Sequence, residues 1–409
     1  MDSAVRRLDV LAHHLSAQDT EVVICAAFRT PLTKSGRGGL KNVPPEGLLL
    51  PVMKKVIEAS GVNPAKIDDI CVGNVLATGA AFMLARMGQM LAGIPYTTSL
   101  STCNRLCSSG LQACANIANS IKAGHIEIGI GAGVENMSMY DMQGGINPEQ
   151  LSPAIFDHEL ARDCMMPMGM TSENVVEKYG ITRLQQDQMA VDSHAKAARA
   201  QEQGLFTSEI VPVEVTTTVD GKEKTVIISK DDGIRKGTTL EALGKLKPAF
   251  KKGGSTTAGN SSQVSDGAAA VLLASRAAAQ KYGLPILARW VGFAVGGVPP
   301  NLMGIGPSVA IPKVLAQCHM NISDIDIFEV NEAFASQATY CVDLLGIPRE
   351  KLNPKGGALA FGHPLGCTGS RQIATLLPEL RRTNKRFGLV SMCIGTGMGA
   401  AAIIENLAR

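Results

Sequence analysis

A chain of 409 residues, 45% hydrophobic and 18% charged, holds apolar material for two or three packed units, which excludes a single small module and a disordered polymer. The formal net charge of +3 comes without a basic block, so nucleic acid is not an expected partner, and the longest apolar runs fall far short of the ~18 residues a membrane span needs. Ten cysteines without a dense paired framework read as reduced thiols, and seven scattered histidines with no CxxC pair imply no metal site.

In chain order, Leu8, Leu11 and Leu15 share one face of a short N-terminal helix with Arg7 and His14 beside the stripe. The stretch 22–27 reads as a buried strand and 47–60 as a helix with Leu48, Val52, Val56 and Ala59 on one face. A strand at 69–75 and a helix at 82–92 follow. Next come a helix at 108–122, packed through Leu111, Cys114, Ala115, Ala118 and Ile121, and a strand at 126–132. This alternation indicates an α/β fold with helices covering a mixed sheet. Residues 135–248 change character, richer in Met, Gln, Asp and Lys, and carry a hairpin candidate at 219–222, so they read as an insertion. Alternation returns at 268–274 and continues from 286.

The chain also repeats itself. Asn63 through Asn74 resembles Asn321 through Asn331, and Leu106-Cys107-Ser108-Ser109-Gly110 parallels Gly366-Cys367-Thr368-Gly369-Ser370. Two similar halves place equivalent loops on one face, where chemistry is expected. The expected partition is 1–19 as a targeting segment, 20–134 plus 249–280 as the first domain, 135–248 as a loop domain and 281–409 as the second domain.

Four places could carry chemistry. Cys107 precedes a helix, where the positive end of the dipole lowers a thiol's pKa and favours a nucleophilic thiolate; a buried structural cysteine is the alternative. His363 lies in the glycine-dense run 356–366, where it can take a thiol proton or stand exposed, and Pro364 restricts its backbone. Cys393 ends an apolar strand at 389–392 and leads into Gly395-Thr396-Gly397-Met398-Gly399, as a core cysteine or a second acid/base beside free amides. Asn331-Glu332 follows the strand 325–330, to orient a water and a histidine or to cap the next helix.

Together, Asn104-Arg105-Leu106-Cys107-Ser108-Ser109-Gly110, Asn331-Glu332-Ala333-Phe334-Ala335, Gly362-His363-Pro364-Leu365-Gly366 and Cys393-Ile394-Gly395-Thr396-Gly397 resemble the four signature blocks of the thiolases, in order and spacing. A fifth block, Thr257-Ala258-Gly259-Asn260-Ser261-Ser262 through Ala269, is similar to that family's CoA-facing segment. The resemblance implies the thiolase fold, two α/β halves in a layered αβαβα core, and thiolytic cleavage of a 3-ketoacyl-CoA by coenzyme A. By it Cys107 accepts the acyl group, His363 activates it and Cys393 is the second acid/base. Asn331 holds a water at the enolate oxygen, the amides of Cys107 and Gly395 form an oxyanion hole, and Ser261, Ala258 and Met168 touch CoA.

No cofactor beyond co-substrate CoA is implied, and a homodimer is. Arg7-Leu8, five residues, then His14-Leu15 resembles an N-terminal peroxisomal targeting signal read by an import receptor. This turns the resemblance toward the peroxisomal, β-oxidation branch of the family. Leu106 and Thr396 depart from common family residues, Gln and Gly, which concerns pocket shape. A biosynthetic acetoacetyl-CoA thiolase would share these residues, a fatty-acid condensing enzyme would need a histidine in place of Cys393, and an inactive scaffold would have lost one of the three. Cys164, in the inserted segment, reads either as a thiol that traps Cys107 in a disulfide under oxidation or as an inert cysteine of a Met-rich cover.

Overall fold

The computed structural model describes residues 21–142, 148–219 and 222–408; the N-terminal pattern of Arg7, Leu8, His14 and Leu15 and the turn pair Asp220-Gly221 lie outside the described residues. In chain order the first half comprises β1 (Val22–Arg29), β2 (Thr33–Lys34), α1 (Pro45–Ser60), β3 (Asp69–Gly73), α2 (Phe82–Leu91), β4 (Ser99–Cys103), α3 (Ser109–Lys122) and β5 (Ile128–Asn136). The inserted region carries α4 (Met168–Tyr179), α5 (Arg183–Glu202) and the expected hairpin of β6 (Val213–Val219) with β7 (Lys222–Ile228), in register at Val219 and Lys222. After β8 (Ser265–Ser275) the second half runs β9 (Ala288–Gly297), α6 (Pro307–Gln317), β10 (Ile327–Val330), α7 (Ala335–Leu345), α8 (Thr368–Arg382), β11 (Phe387–Ile394) and β12 (Met398–Asn406). No helix among the described residues is long and apolar enough to cross a membrane.

Local sequence explains the boundaries. Pro45 opens α1, where its missing N–H costs nothing, and Gly61 closes it at φ 68. Strands β5 and β8 are buried along their whole length, so they read as continuous apolar runs rather than alternating ones.

The strand order β10-β11-β12-β9-β1-β8-β5-β3-β4 contains the same pattern twice. In the first half β3 is parallel to β5, then β5, β8 and β1 run antiparallel in turn. In the second half β10 is parallel to β11, then β11, β12 and β9 run antiparallel. Val23 and Ile24 of β1 join Arg289 and Ala288 of β9 to make one sheet. The internal repeat is a structural one. The Asn63 side chain accepts from Ala65 N–H at the 3₁₀ turn before β3, and Asn321 caps the corresponding turn before β10.

Five layers result. Leu48, Val52 and Val56 of α1 pack on Ile70, Ile130 and Leu272 of the first half-sheet. Helices α3 and α8 lie between the half-sheets, where Leu111, Cys114, Ile373 and Leu377 share a core with Leu273 and Val390. On the far side Ile311 and Val342, from α6 and α7, cover Phe328, Leu389 and Ile403. The middle helices cross at glycine: a Cβ on Gly369 would lie 2.2 Å from Leu111 N, and one on Gly110 would lie 2.6 Å from the Gly366 carbonyl oxygen. Only glycine permits that approach, and it brings the loops leading into α3 and α8 together.

A buried ionic cluster locks the pieces. Arg29 at the end of β1 donates to Glu209 (2.7 Å) and, through both terminal nitrogens, to Asp231 (2.8 and 2.9 Å). Lys355 and Thr375 of the second half also donate to Glu209.

Candidate active site

Cys107 stands between β4 and α3. The Asn104 side chain accepts from Leu106 N–H (2.9 Å), while the Ser109 hydroxyl accepts from Arg105 N–H (2.9 Å) and donates to the Leu106 carbonyl (2.7 Å). These bonds hold Leu106 at φ 46, left-handed backbone that a leucine does not adopt unaided, and the turn presents the next residue, Cys107. The expected lowering of its pKa is overturned: burial pushes the thiol up to about 11, against the pull of the Gly395 and Cys107 amides. The helix starts only at Ser109, and desolvation outweighs its dipole.

Cys393 lies within β11, paired with Gly399, rather than after a strand ending at 392, because β11 and β12 remain in register until Ile394 and Met398. The turn between them holds Thr396 at φ 65, so both departures from common family residues occupy left-handed positions flanking the site. The Cys393 thiol donates to Gln337 Oε1 at 3.6 Å. Burial, then the neighbouring Cys107, raises it far above the ordinary thiol range, so it is a proton-bearing group at rest.

His363 is buried, not an exposed loop histidine. Gly362, at φ 105, touches Ser265, where a Cβ would lie 1.9 Å from the hydroxyl oxygen, and His363 N–H donates to the Gln263 carbonyl (2.9 Å). Its Nδ1 is 2.6 Å from Thr368 Oγ1, whose one proton goes to the Pro364 carbonyl (3.0 Å). With the hydroxyl proton on Pro364, Thr368 Oγ1 accepts from Nδ1–H, which assigns the proton to Nδ1 and leaves Nε2 as the acceptor nitrogen of the ring. Burial, with the Arg371 charge adding to it, depresses the imidazole to about 3, so it is a neutral base at physiological pH. Asn331 Nδ2 stands 3.4 Å from both ring nitrogens, and its buried Oδ1 has no partner among the described residues.

Glu332 does not join them. It accepts from Ser193, Asn353 and Leu359 N–H, fastening α5 to the strand end, and Phe334 rather than either member of the pair stands at the N-cap of α7. Met168 packs with Met303, Ala333, Phe334 and Cys393, and its sulfur would lie 3.6 Å from a Cβ on Gly395. Ser261 bridges by its backbone to Phe334 and donates its hydroxyl to the Thr257 carbonyl (2.6 Å), while Ala258 is exposed. Half-buried Cys164 donates its thiol to the Leu160 carbonyl (3.4 Å).

Sequence reasoning missed three residues. Thr368 sets the histidine tautomer, and Gln337 touches Cys393. Glu135 accepts from Asn74, Val75, Leu76 and Gly366, tying the His363 loop to the first half. The register makes Asn74 and Glu135 the counterparts of Asn331 and Cys393 in the repeat. The Asn63–Asn74 echo already pointed to the first of these correspondences.

The chain matches the family models for the thiolase N-terminal domain over residues 22–277 and the thiolase C-terminal domain over 284–406. The chain belongs to the thiolase family. This thiolase is 55% identical to 3-ketoacyl-CoA thiolase A, peroxisomal, of Mus musculus, over 98% of its own length and 95% of the relative's. The dimeric peroxisomal thiolase of Saccharomyces cerevisiae superposes with a TM-score of 0.89 at 44% identity, covering 97% and 100% of the two chains. Human mitochondrial 3-ketoacyl-CoA thiolase in complex with CoA gives 0.84 at 37% identity over 95% and 98%.

Proposed function

We infer that this thiolase cleaves 3-ketoacyl-CoA with CoA, giving acetyl-CoA and an acyl-CoA two carbons shorter, as an acetyl-CoA C-acyltransferase of fatty-acid β-oxidation. The observation that carries the reading is the pair of neighbouring buried thiols, with Gly395 N–H bonded to Cys107 and Cys393 close enough to feel its charge; it is supported by a buried, neutral His363 on a loop that Glu135 ties to the first half.

With burial holding the Cys107 thiol up near 11 and the imidazole down near 3, proton transfer between them ahead of attack is uphill. Deprotonation therefore accompanies attack: Cys107 sulfur bonds to the keto carbon as its proton passes to His363 Nε2. The bond to the α-carbon then breaks, and Cys393 delivers its proton to the enolate of acetyl-CoA, whose oxygen is held by His363 and a water on Asn331. Incoming CoA attacks the thioester on Cys107, stabilised by the Cys107 and Gly395 amides. Before that attack protonated His363 gives its proton back to Cys393, and the neutral imidazole then takes the thiol proton of CoA and passes it to Cys107.

Met168 and the Ser261 segment line the pantetheine arm in this reading, with Ala258 beside them and the inserted region that follows β5 as the cover. A homodimer and a peroxisomal location follow the named relatives, with Arg7, Leu8, His14 and Leu15 as the import address. The test is CoA-dependent loss of 3-ketoacyl-CoA absorbance across several chain lengths. Wild-type protein should consume the substrate and Cys107→Ala should not; no turnover at any length would overturn the assignment.

A further inference from the structure

We propose that Gln337 is a positioning residue for Cys393, holding its thiol for proton delivery and its thiolate afterwards; this rests on reading Cys393 as the acid/base. Gln337 is the third residue of α7 and only 2% exposed. Its Oε1 accepts from the Cys393 thiol at 3.6 Å, while its Nε2, also buried, has no partner among the described residues. A buried amide nitrogen without a partner costs stability that leucine or methionine would not, so packing alone does not account for the residue type. A second segment builds the position: a Cβ on Gly304 would lie 1.9 Å from Gln337 Cδ, so glycine at 304 makes room for the amide.

The chemistry requires both ends of that amide. Before the step, the sulfur carries a proton and needs an acceptor to fix its direction, which Oε1 supplies. As the S–H bond breaks and the proton joins the α-carbon of the enolate, negative charge remains on a desolvated sulfur. A donor is then needed, and rotation of the amide presents Nε2–H to it. The state ends when protonated His363 returns a proton to Cys393, before CoA attacks the acyl-enzyme. A glutamate at 337 offers acceptors but repels the thiolate, and a methionine offers neither group.

Two partial reactions isolate the role. Exchange of labelled CoA into acetyl-CoA uses Cys107 and His363 without forming an enolate, whereas deuterium exchange into the acetyl methyl group requires the enolate and Cys393. Gln337→Met and Gln337→Glu should slow deuterium exchange by about 10- to 100-fold, below the ~10²–10⁴ for losing the base itself, and leave CoA exchange within about threefold. Gly304→Ala, which displaces the amide from another segment, should reproduce the split if the Gln337 variants do not fold. Equal losses in both reactions, or unchanged deuterium exchange, would overturn the inference while leaving the function intact. Persistence of deuterium exchange in Cys393→Ala would instead remove the acid/base reading on which it rests.

Discussion

Replacing Thr368 by valine keeps the shape of the side chain and removes the oxygen 2.6 Å from His363 Nδ1. The Pro364 carbonyl loses the hydroxyl but still accepts from Thr368 N–H at 3.0 Å, so the helix start survives. What changes is the imidazole. A buried Nδ1–H without an acceptor costs about 1–3 kcal/mol, and the ring escapes that cost only by moving its proton to Nε2, the wrong atom for a base. At about 1.36 kcal/mol per tenfold, kcat/KM for thiolysis should fall roughly 5- to 150-fold. Because His363 serves both acyl transfer and cleavage, labelled-CoA exchange should fall with it, and Thr368→Ser should restore both. Activity of Thr368→Val within twofold of wild type, or a serine variant as impaired as the valine one, would refute the tautomer assignment.

Cys393→Ala should abolish methyl deuterium exchange with a loss of about 10²–10⁴ while largely sparing CoA exchange; the reverse pattern would exchange the roles of the two cysteines. Glu209→Gln leaves Lys355 in the core without its carboxylate partner and Arg29 with Asp231 alone, and should lower unfolding free energy by about 3–5 kcal/mol in urea titrations, whereas Asp343→Asn at the exposed pair with Arg349 should change it by under about 1 kcal/mol. His194, like His363, is buried and pushed down, to about 4, so the unfolded chain takes up protons first as pH falls below 6.5; this share of stability is complete above 6.5 and lost toward 4. The urea midpoint of His194→Asn should therefore gain on wild type between pH 7 and pH 5, and a constant difference would contradict it. Arg7→Asp with His14→Asp should block peroxisomal import in cells lacking other thiolase, and normal import would refute the N-terminal address.

The α/β alternation and the repeat were legible from local pattern, and Cys107, His363 and Cys393 stood out as candidates because each sits in a short block whose residue types have few other uses. The pKa of Cys107 was not, because its sign depends on burial in the folded chain, which the amide of Gly395, almost 290 residues away, only partly offsets, rather than on the helix beside it. Likewise Glu135 bonds to Gly366 across 231 positions and Gln337 meets Cys393 across 56, separations at which neither residue stands out from its local sequence. Strand ends were misjudged where a side chain decides them. The strand expected at 69–75 stops at Gly73 because Asn74 turns its amide to Val134 and Glu135, and the one expected to stop at 392 continues until the tight turn at 395–397.

The acyl-enzyme itself can be mapped. Wild-type protein incubated with acetyl-CoA, quenched and digested with trypsin yields the peptide 106–122, bounded by Arg105 and Lys122, which holds both Cys107 and Cys114. Fragment-ion mass spectrometry should place the acetyl group on Cys107, and addition of CoA before the quench should remove it. Acetyl on Cys114, on Cys103 in the preceding peptide, or on Cys393 would contradict Cys107 as the acyl carrier.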